Sequence, residues 1–320
     1  MPHCVARRWN ADSEEGTPKG DAAYRQICAV CAGRERARRR FSSSNKVLLA
    51  GKNATHEHRR HGLRQASDSV WMGLGYNAAE TMPARSLVSI SRDLCREVDA
   101  LHFGSPTAYV YNPLAYARAP HEKYLELYGK GRGRVLLLGM NPGPFGMAQT
   151  GVPFGDVTMV RDFLRIQAPV GRPAREHPSR PVLGFACSRG EVSGSRLWGW
   201  ARDRYGDAAS FFEHFFVVNY CPLAFMEESG KNRTPDKLPS LELSPLLAAC
   251  DRALVRMGET LEPRLVVGVG AFGEACARRA FATSGLRTGC ILHPSPANPK
   301  ANSGWSRVIE GQLEELGVRL

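Results

Sequence analysis

Residues 134–140 read Arg134-Val135-Leu136-Leu137-Leu138-Gly139-Met140, and Asn141 follows. A short unbroken apolar run of this kind suits a strand buried on both faces, as in a parallel sheet covered by helices. Phe215–Val218, Leu265–Val269 and Cys290–Leu292 repeat the pattern further along. Helical spacing surrounds these runs. Leu87, Ile90, Leu94, Val98 and Leu101 recur every three or four residues and predict an amphipathic helix. Thr158 is placed to cap a helix towards Ile166, and Ser193 or Ser195 to start one through Tyr205. Ser244-Pro245 reads as another start, with proline at the first helical position. Ala271–Thr283 and Trp305–Leu316 read as the last two helices. Strands alternating with helices predict an α/β fold with a mainly parallel sheet.

Open α/β sheets bind ligands beyond the carboxyl ends of their strands. The first apolar run ends at Asn141, the second at Asn219 and the fourth at His293. Asparagine commonly ends strands, and histidine often fills a structural role. Three polar, hydrogen-bonding residues at three such positions nevertheless predict one functional cleft. The third run offers a rival, because Gly268, Gly270 and Gly273 have the spacing of a dinucleotide-binding turn. That turn requires an acidic residue at the end of the next strand. His293 and Pro294 stand there instead, so these glycines are assigned to close helix–strand packing or to backbone approach to a phosphate.

The loop from Gly139 to Gly155 is too rich in glycine and proline for helix or strand. Prolines stiffen it and glycines open backbone geometries closed to other residues. Such a loop suits close contact with a flat polar ligand. Phe145 and Phe154 are the candidate stacking faces, with a core anchor as the competing role, favoured for Phe145.

At this loop the chain resembles the uracil-DNA glycosylase superfamily, in its single-strand-selective monofunctional branch. The resemblance runs from about Arg85 to the C-terminus. It is carried by Tyr111-Asn112-Pro113-Leu114, the whole Gly139–Gly155 loop, Glu191-Val192-Ser193-Gly194, Asn219-x-Cys221-Pro222-Leu223, Val266–Gly270 and His293-Pro294-Ser295-Pro296. It implies a three-layer α/β/α fold around a four-stranded, mainly parallel sheet. It also implies excision of uracil, 5-hydroxymethyluracil and some oxidised uracils from single- and double-stranded DNA. Asn141 is then expected to position the attacking water, and His293 to donate to uracil O2. Asn219 is expected to read the Watson–Crick edge and Phe154 to stack on the base, with Met140, Gly143 and Met147 as further walls. The segment Ser295, Pro296, Ala297, Asn298, Pro299, Lys300, Ala301 and Asn302 looks like the wedge that enters the duplex behind a flipped nucleotide. An arginine is expected at Ala297; its absence leaves a smaller plug, for which Lys300 compensates in part. No metal or cofactor is expected.

The residue chemistry is consistent with this. Breaking an N-glycosidic bond leaves an oxocarbenium-like sugar and an anionic base, so a donor aimed at the leaving oxygen helps most. A base must leave the stack to be reached, and an aromatic face then holds it. One asparagine amide can accept from uracil N3–H and donate to O4, whereas cytosine presents the opposite pattern. Asn141 is no strong general base, which throws weight onto leaving-group stabilisation. Asp156 is a candidate auxiliary acid, with helix capping or surface solvation as its competing roles. No amine nucleophile stands out in the pocket loops, which fits hydrolysis without strand cleavage. The alternative is a catalytically silent nucleic-acid-binding module of the same fold.

Composition bounds these readings. The 320 residues carry a formal charge of +12 and are 43% hydrophobic, enough for a sizeable core and a polyanionic partner. Residues 1–83 hold 14 Lys/Arg against 8 Asp/Glu, and the remainder 29 against 23. The later part is therefore basic in its own right. Clustered arginines between Arg34 and Arg40 and weak periodicity predict a largely disordered tail over residues 1–83, with a domain over 84–320. Cys28-x2-Cys31 and His56-x4-His61 suggest zinc, but the 24 residues between them are about twice the usual finger spacing. Nine scattered cysteines read as reduced, buried thiols of an intracellular protein. No run approaches the ~18 apolar residues of a membrane span, and no secretory signal is read at the start. The expectation is a monomeric, nuclear protein.

Overall fold

The computed structural model describes residues 86–320. The tail, its arginine cluster and the Cys28, Cys31, His56, His61 set lie outside the described residues. The decisive run forms strand β2 (Val135–Gly139), buried throughout. It sits inside a four-stranded sheet with β3 (Phe215–Asn219), β6 (Leu265–Val269) and β7 (Thr288–Ile291), in the order β3-β2-β6-β7 and parallel at every pairing. Register aligns the carboxyl ends: Gly139 lies beside Asn219, Leu138 beside Gly268, and Val269 beside Ile291.

Connection order explains where a cleft opens. The chain steps from β2 to β3 in one direction, then from β3 past β2 to β6 and on to β7 in the other. Right-handed crossovers therefore send the β2–β3 helices to one face and the later helices to the opposite face. On the first face lie α5 (Val192–Tyr205) and α6 (Ala208–His214), which pack together and are joined by α10 (Trp305–Glu315). On the second lie α7 (Ser240–Leu261) and α8 (Ala271–Ala280), with α1 (Leu87–Asp99) packed on α7. The loops leaving β2 and β6 part to opposite faces, which leaves a crevice at their carboxyl ends.

The glycine triplet of the third run is used for packing. A Cβ on Gly268 would stand 2.0 Å from the Glu274 nitrogen, and one on Gly273 would stand 2.4 Å from the Leu138 carbonyl oxygen. Only glycine lets α8 lie this close to β2 and β6. A polar triad then ties α7 and α8 to the exit of β3. Arg279 grips Asp251 at 2.8 and 2.9 Å and the Tyr220 hydroxyl at 2.7 Å, and that hydroxyl donates to Asp251 at 2.9 Å.

Several helix boundaries differ from the sequence expectation. Thr158 makes no capping bond; Asp156 Oδ1 accepts from the Met159 N–H, and the expected helix shrinks to a π-type turn over Met159–Phe163. The helix assigned to Ser193 or Ser195 begins at Val192, capped by Glu191. The one assigned to Ser244-Pro245 begins a turn earlier, with Pro245 inside it. Pro245 has no N–H to donate to the Leu241 carbonyl, and Leu241 is 91% exposed. The helices read as ending at Thr283 and Leu316 stop at Ala280 and Glu315.

A small antiparallel sheet was not anticipated. It joins β1 (Tyr109–Tyr111), β4 (Ala224–Met226) and β5 (Asn232–Arg233). Four further helices complete the order: α2 (Pro113–Tyr116), α3 (Arg118–Tyr128), α4 (Met147–Thr150) and α9 (Pro299–Asn302). Cys95, Cys187, Cys221, Cys250 and Cys276 are buried and unbridged, and Cys290 is half-buried. No described helix is long and apolar enough to cross a membrane.

Candidate active site

A cleft of about 410 Å³ opens at the carboxyl end of the sheet. Asn141, Asn219, His293, Phe154, Met140, Gly143, Met147, Ser295 and Pro296 all line it. Three strand ends that are distant in sequence thus meet in one place, as the end-of-strand argument requires.

The exits of β2 and β3 stay zipped beyond the strands. The Tyr220 N–H donates to the Gly139 carbonyl and the Cys221 N–H to the Met140 carbonyl, each at 2.9 Å. Asn141 follows this clamp. Its Nδ2 donates to the Leu223 carbonyl at 3.1 Å, which fixes the amide and leaves Oδ1 as the acceptor on the cleft side. Asn219 Nδ2 faces Met147 Sδ at 3.3 Å. A thioether is a weak acceptor, so this amide is oriented but readily recruited by a better partner.

Gly139 sets the floor beneath both the amide and the aromatic face. A Cβ there would stand 2.3 Å from Asn219 Oδ1 and 2.6 Å from Phe154 Cε2. Phe154 holds a left-handed backbone at φ +53°. That geometry costs on the order of 1–3 kcal/mol for a non-glycine residue and persists only where its surroundings impose it. Here they do: the Asp156 N–H donates to the Phe154 carbonyl at 2.8 Å, and Trp198 donates to the Pro153 carbonyl at 3.3 Å. Gly194 leaves room, since a Cβ on it would lie 2.0 Å from the Phe154 oxygen. The Phe154 ring centre is 6.1 Å from that of His293.

His293 stands just past β7, held by its neighbours. The Leu292 N–H donates to Gln312, and Trp305 donates to the Leu292 carbonyl. The Ser295 N–H donates to His293 Nδ1 at 3.1 Å, so Nδ1 is the acceptor and the proton resides on Nε2. Burial lowers its pKa from 6.5 to about 4. At neutral pH the ring is an uncharged donor with a fixed tautomer.

The remaining expected positions fall on one ordered loop. Ser295 Oγ accepts the Ala297 N–H, Asn298 Oδ1 accepts the Lys300 N–H, and Asn302 Nδ2 donates to the Pro296 carbonyl. Pro296, Ala297, Pro299 and Lys300 are exposed on it, whereas Ala301 is buried and anchors it to the core. Asp156 is buried and caps, and its Oδ2 also accepts the Glu191 N–H at 2.9 Å. The capping role assigned to it thus stands, and surface solvation does not.

Four contributors escaped the sequence reading. Glu191 lines the cleft, and its oxygens take the Ser193 and Gly194 N–H groups at the start of α5. Burial raises its pKa against those hydrogen bonds. Asn232 and Thr234 reach the cleft from the small sheet. Arg196, on α5, donates to the Pro294 carbonyl at 2.9 Å and to Asn302 Oδ1 at 2.8 Å, clamping the exposed loop at both ends. The Glu191-Val192-Ser193-Gly194 motif was the available signal for the first; nothing local marked the others.

Chemically, the cleft offers an aromatic face, an amide with both donor and acceptor, a neutral N–H donor and a second amide oxygen for water. Among the described residues, no group of three or more His, Cys, Asp or Glu is placed to hold a metal ion.

The sequence profile of the uracil DNA glycosylase superfamily matches residues 127–309. A Mus musculus single-strand selective monofunctional uracil DNA glycosylase is 50% identical over 224 residues, covering 69% of this chain and 80% of that protein. The Bos taurus protein of the same name is also 50% identical, with 82% of it covered. Wild-type Pedobacter heparinus SMUG2 superposes with a TM-score of 0.49 at 18% identity, over 71% of this chain and 97% of that one.

Proposed function

Because the chain belongs to the uracil DNA glycosylase superfamily, and within it to the single-strand-selective monofunctional enzymes, we propose that its cleft excises uracil, 5-hydroxymethyluracil and related oxidised uracils from single- and double-stranded DNA. As a member it is a uracil-DNA glycosylase, a hydrolase of N-glycosyl bonds. The finer assignment rests on one observation above all. The Ser295 N–H occupies His293 Nδ1, so a neutral Nε2–H is presented to the same cleft that holds the Asn141 and Asn219 amides.

The proposed reaction follows from these positions. The flipped base lies against Phe154, with Asn219 Oδ1 accepting from N3–H and Nδ2 donating to O4. Met147 yields the amide because a thioether competes weakly for it. As the C1′–N1 bond lengthens, negative charge gathers on the base and His293 Nε2–H donates to O2. An uncharged, preorganised donor stabilises this charge without a reorganisation cost at the moment of reaction. Asn141 Oδ1 aligns a water for addition to C1′; that water loses a proton to solvent, and the departing base anion is protonated in turn. Gly143 brings no side chain into the cleft, which leaves room for a ring substituent. The loop from Ser295 to Asn302 takes the place of the extruded nucleotide, with DNA as partner, the monomer as working form and the nucleus as compartment.

A labelled oligonucleotide with a single uracil tests this. Incubation with the protein is expected to give a nick at the uracil only after hot alkali. No nick would overturn the assignment of uracil as substrate, and a nick without alkali would overturn simple hydrolysis.

A further inference from the structure

Phe145 is half-buried, belongs to no core cluster and does not line the cleft. Two guanidinium groups sit over its ring instead. Arg189 lies 4.0 Å and Arg180 5.5 Å from the ring centre. Neither arginine forms an ion pair with a carboxylate among the described residues, whereas Arg92, Arg161, Arg252 and Arg278 are each closed on one.

This arrangement is built into the cleft wall. Phe145 follows Pro144, and Arg189 precedes Glu191 by two positions; Pro144 and Glu191 both line the cleft. Gln149, only 1% exposed, locks the pieces together. Its Nε2 donates to the Pro144 carbonyl at 2.9 Å and to the Pro181 carbonyl at 3.0 Å, while its Oε1 accepts the Leu183 and Gly184 N–H groups. Tyr111 donates to the Arg180 carbonyl at 2.9 Å. The irregular segment from 167 to 190 is thereby pinned against the cleft loop, and its two guanidinium groups, without a carboxylate partner, are stacked on one ring beside cleft-lining residues; Arg180 Nη1 also donates to the Ser179 carbonyl at 2.9 Å. A ring face that already carries a guanidinium is poorly placed to stack a base. It instead pre-orders the guanidinium fork for an oxyanion such as a backbone phosphodiester.

We infer that Arg180 and Arg189, ordered by Phe145, form a phosphate grip for the DNA strand beside the flipped nucleotide, distinct from the loop of Ser295–Asn302. The inference rests on the glycosylase reading above. The full chain is tested by fluorescence anisotropy with a single-stranded oligonucleotide carrying a non-hydrolysable uracil nucleotide, across a range of salt. Each phosphate neutralised on a single strand contributes about 0.7 to the steepness of log K against log salt. The double variant Arg180→Gln, Arg189→Gln is expected to lose about 1.4 of that slope. Its low-salt affinity should fall at least about tenfold. Arg252→Gln, which removes an exposed cation paired with Glu97 on the second helical layer, is expected to match wild type. The double lysine variant is expected to keep the slope, since point charges still displace counterions; it also serves should the glutamine variant fail to fold. An unchanged slope in the glutamine pair, or an equal loss in a folded lysine pair, overturns the grip. Failure of the wild-type protein to excise uracil overturns the functional reading instead, and the two failures are read from separate measurements.

Discussion

At the scale of single residues, the site depends on atoms that are absent as much as on those present. Gly139 is the sharpest case. Its backbone is ordinary strand, so alanine is conformationally acceptable there, yet the added methyl would meet Asn219 Oδ1 and Phe154 Cε2 well inside contact distance. Overpacking of this kind costs about 1–3 kcal/mol of stability. Displacing a positioning group by about 1 Å costs on the order of 10²-fold in rate. Gly139→Ala is therefore expected to fold and to lose at least that much single-turnover uracil excision. Wild-type excision would mean that Asn219 and Phe154 do not form the base pocket. His293→Ala should cost more, ~2.7–4 kcal/mol for a lost donor to developing charge. Its pH behaviour carries a second expectation. With the pKa held down to about 4 by burial, the ring stays neutral through the physiological range. Protonating Nδ1 would also set an N–H against the Ser295 N–H. Excision should thus show no limb from His293 between pH 5.5 and 8, and a rate that falls through pH 6.5 in wild type but not in His293→Ala would refute the buried neutral donor.

At the scale of elements, one side chain couples the first helical layer to the exposed loop. Arg196 bonds Pro294 beside His293 and Asn302 at the far end, so α5 holds the loop as a unit. In the wedge role proposed for this loop, stiffness matters more on a duplex than on an unpaired strand. Arg196→Ala is expected to slow excision from double-stranded DNA several-fold more than from single-stranded DNA, with Arg196→Lys unable to restore both bonds. Equal loss on both substrates would make Arg196 a residue of the fold alone. The same comparison explains what was legible in the sequence. Val135–Gly139, Phe215–Asn219 and Leu265–Val269 are continuous apolar runs readable from the residues alone, and the first two lead into Asn141 and Asn219. Asn141, Asn219 and His293 followed from that reading because strand ends are where α/β folds place chemistry. Phe154 was a candidate stacking face from the loop alone, whereas the role given to the 295–302 segment came from family resemblance. Arg196, Asn232, Thr234 and Gln149 were invisible because their partners lie far away in sequence. Glu191 outcompeted Ser193 as a cap since its carboxylate takes two N–H groups. The three-residue strands of the small sheet are too short to carry a period.

At the scale of the whole molecule, two desolvated histidines, His121 buried and His293 half-buried, latch two parts of the cleft's surroundings. His121, on α3, donates from Nδ1 to the Gly151 carbonyl at 2.8 Å, at the end of the loop that carries the site. His293 accepts from Ser295 where β7 gives way to the exposed loop. Burial lowers each pKa from 6.5 to about 4. In the unfolded chain both would titrate near 6.5, so below that pH the unfolded state binds protons that the folded state refuses. Stability must then fall as pH drops from about 6.5 to about 4, and the two histidines cease to contribute to the slope below that. Each adds up to ~1.4 kcal/mol per pH unit where it is protonated only in the unfolded chain. Glu191 acts in the opposite sense: burial raises its pKa, so its ionised form weakens the fold at neutral pH and that loss is recovered on acidification. The histidines act over the higher window and should dominate between pH 6.5 and 5. Urea unfolding at pH 7, 6 and 5 is expected to give a midpoint that falls over this range. In His121→Gln, which keeps an N–H for the Gly151 carbonyl but has nothing to titrate, the fall should be shallower, since one of the two histidine contributions is gone. A wild-type midpoint that stays constant from pH 7 to 5 would show that the histidines are not held neutral, and with them would go the fixed tautomer on which the proposed proton donor depends.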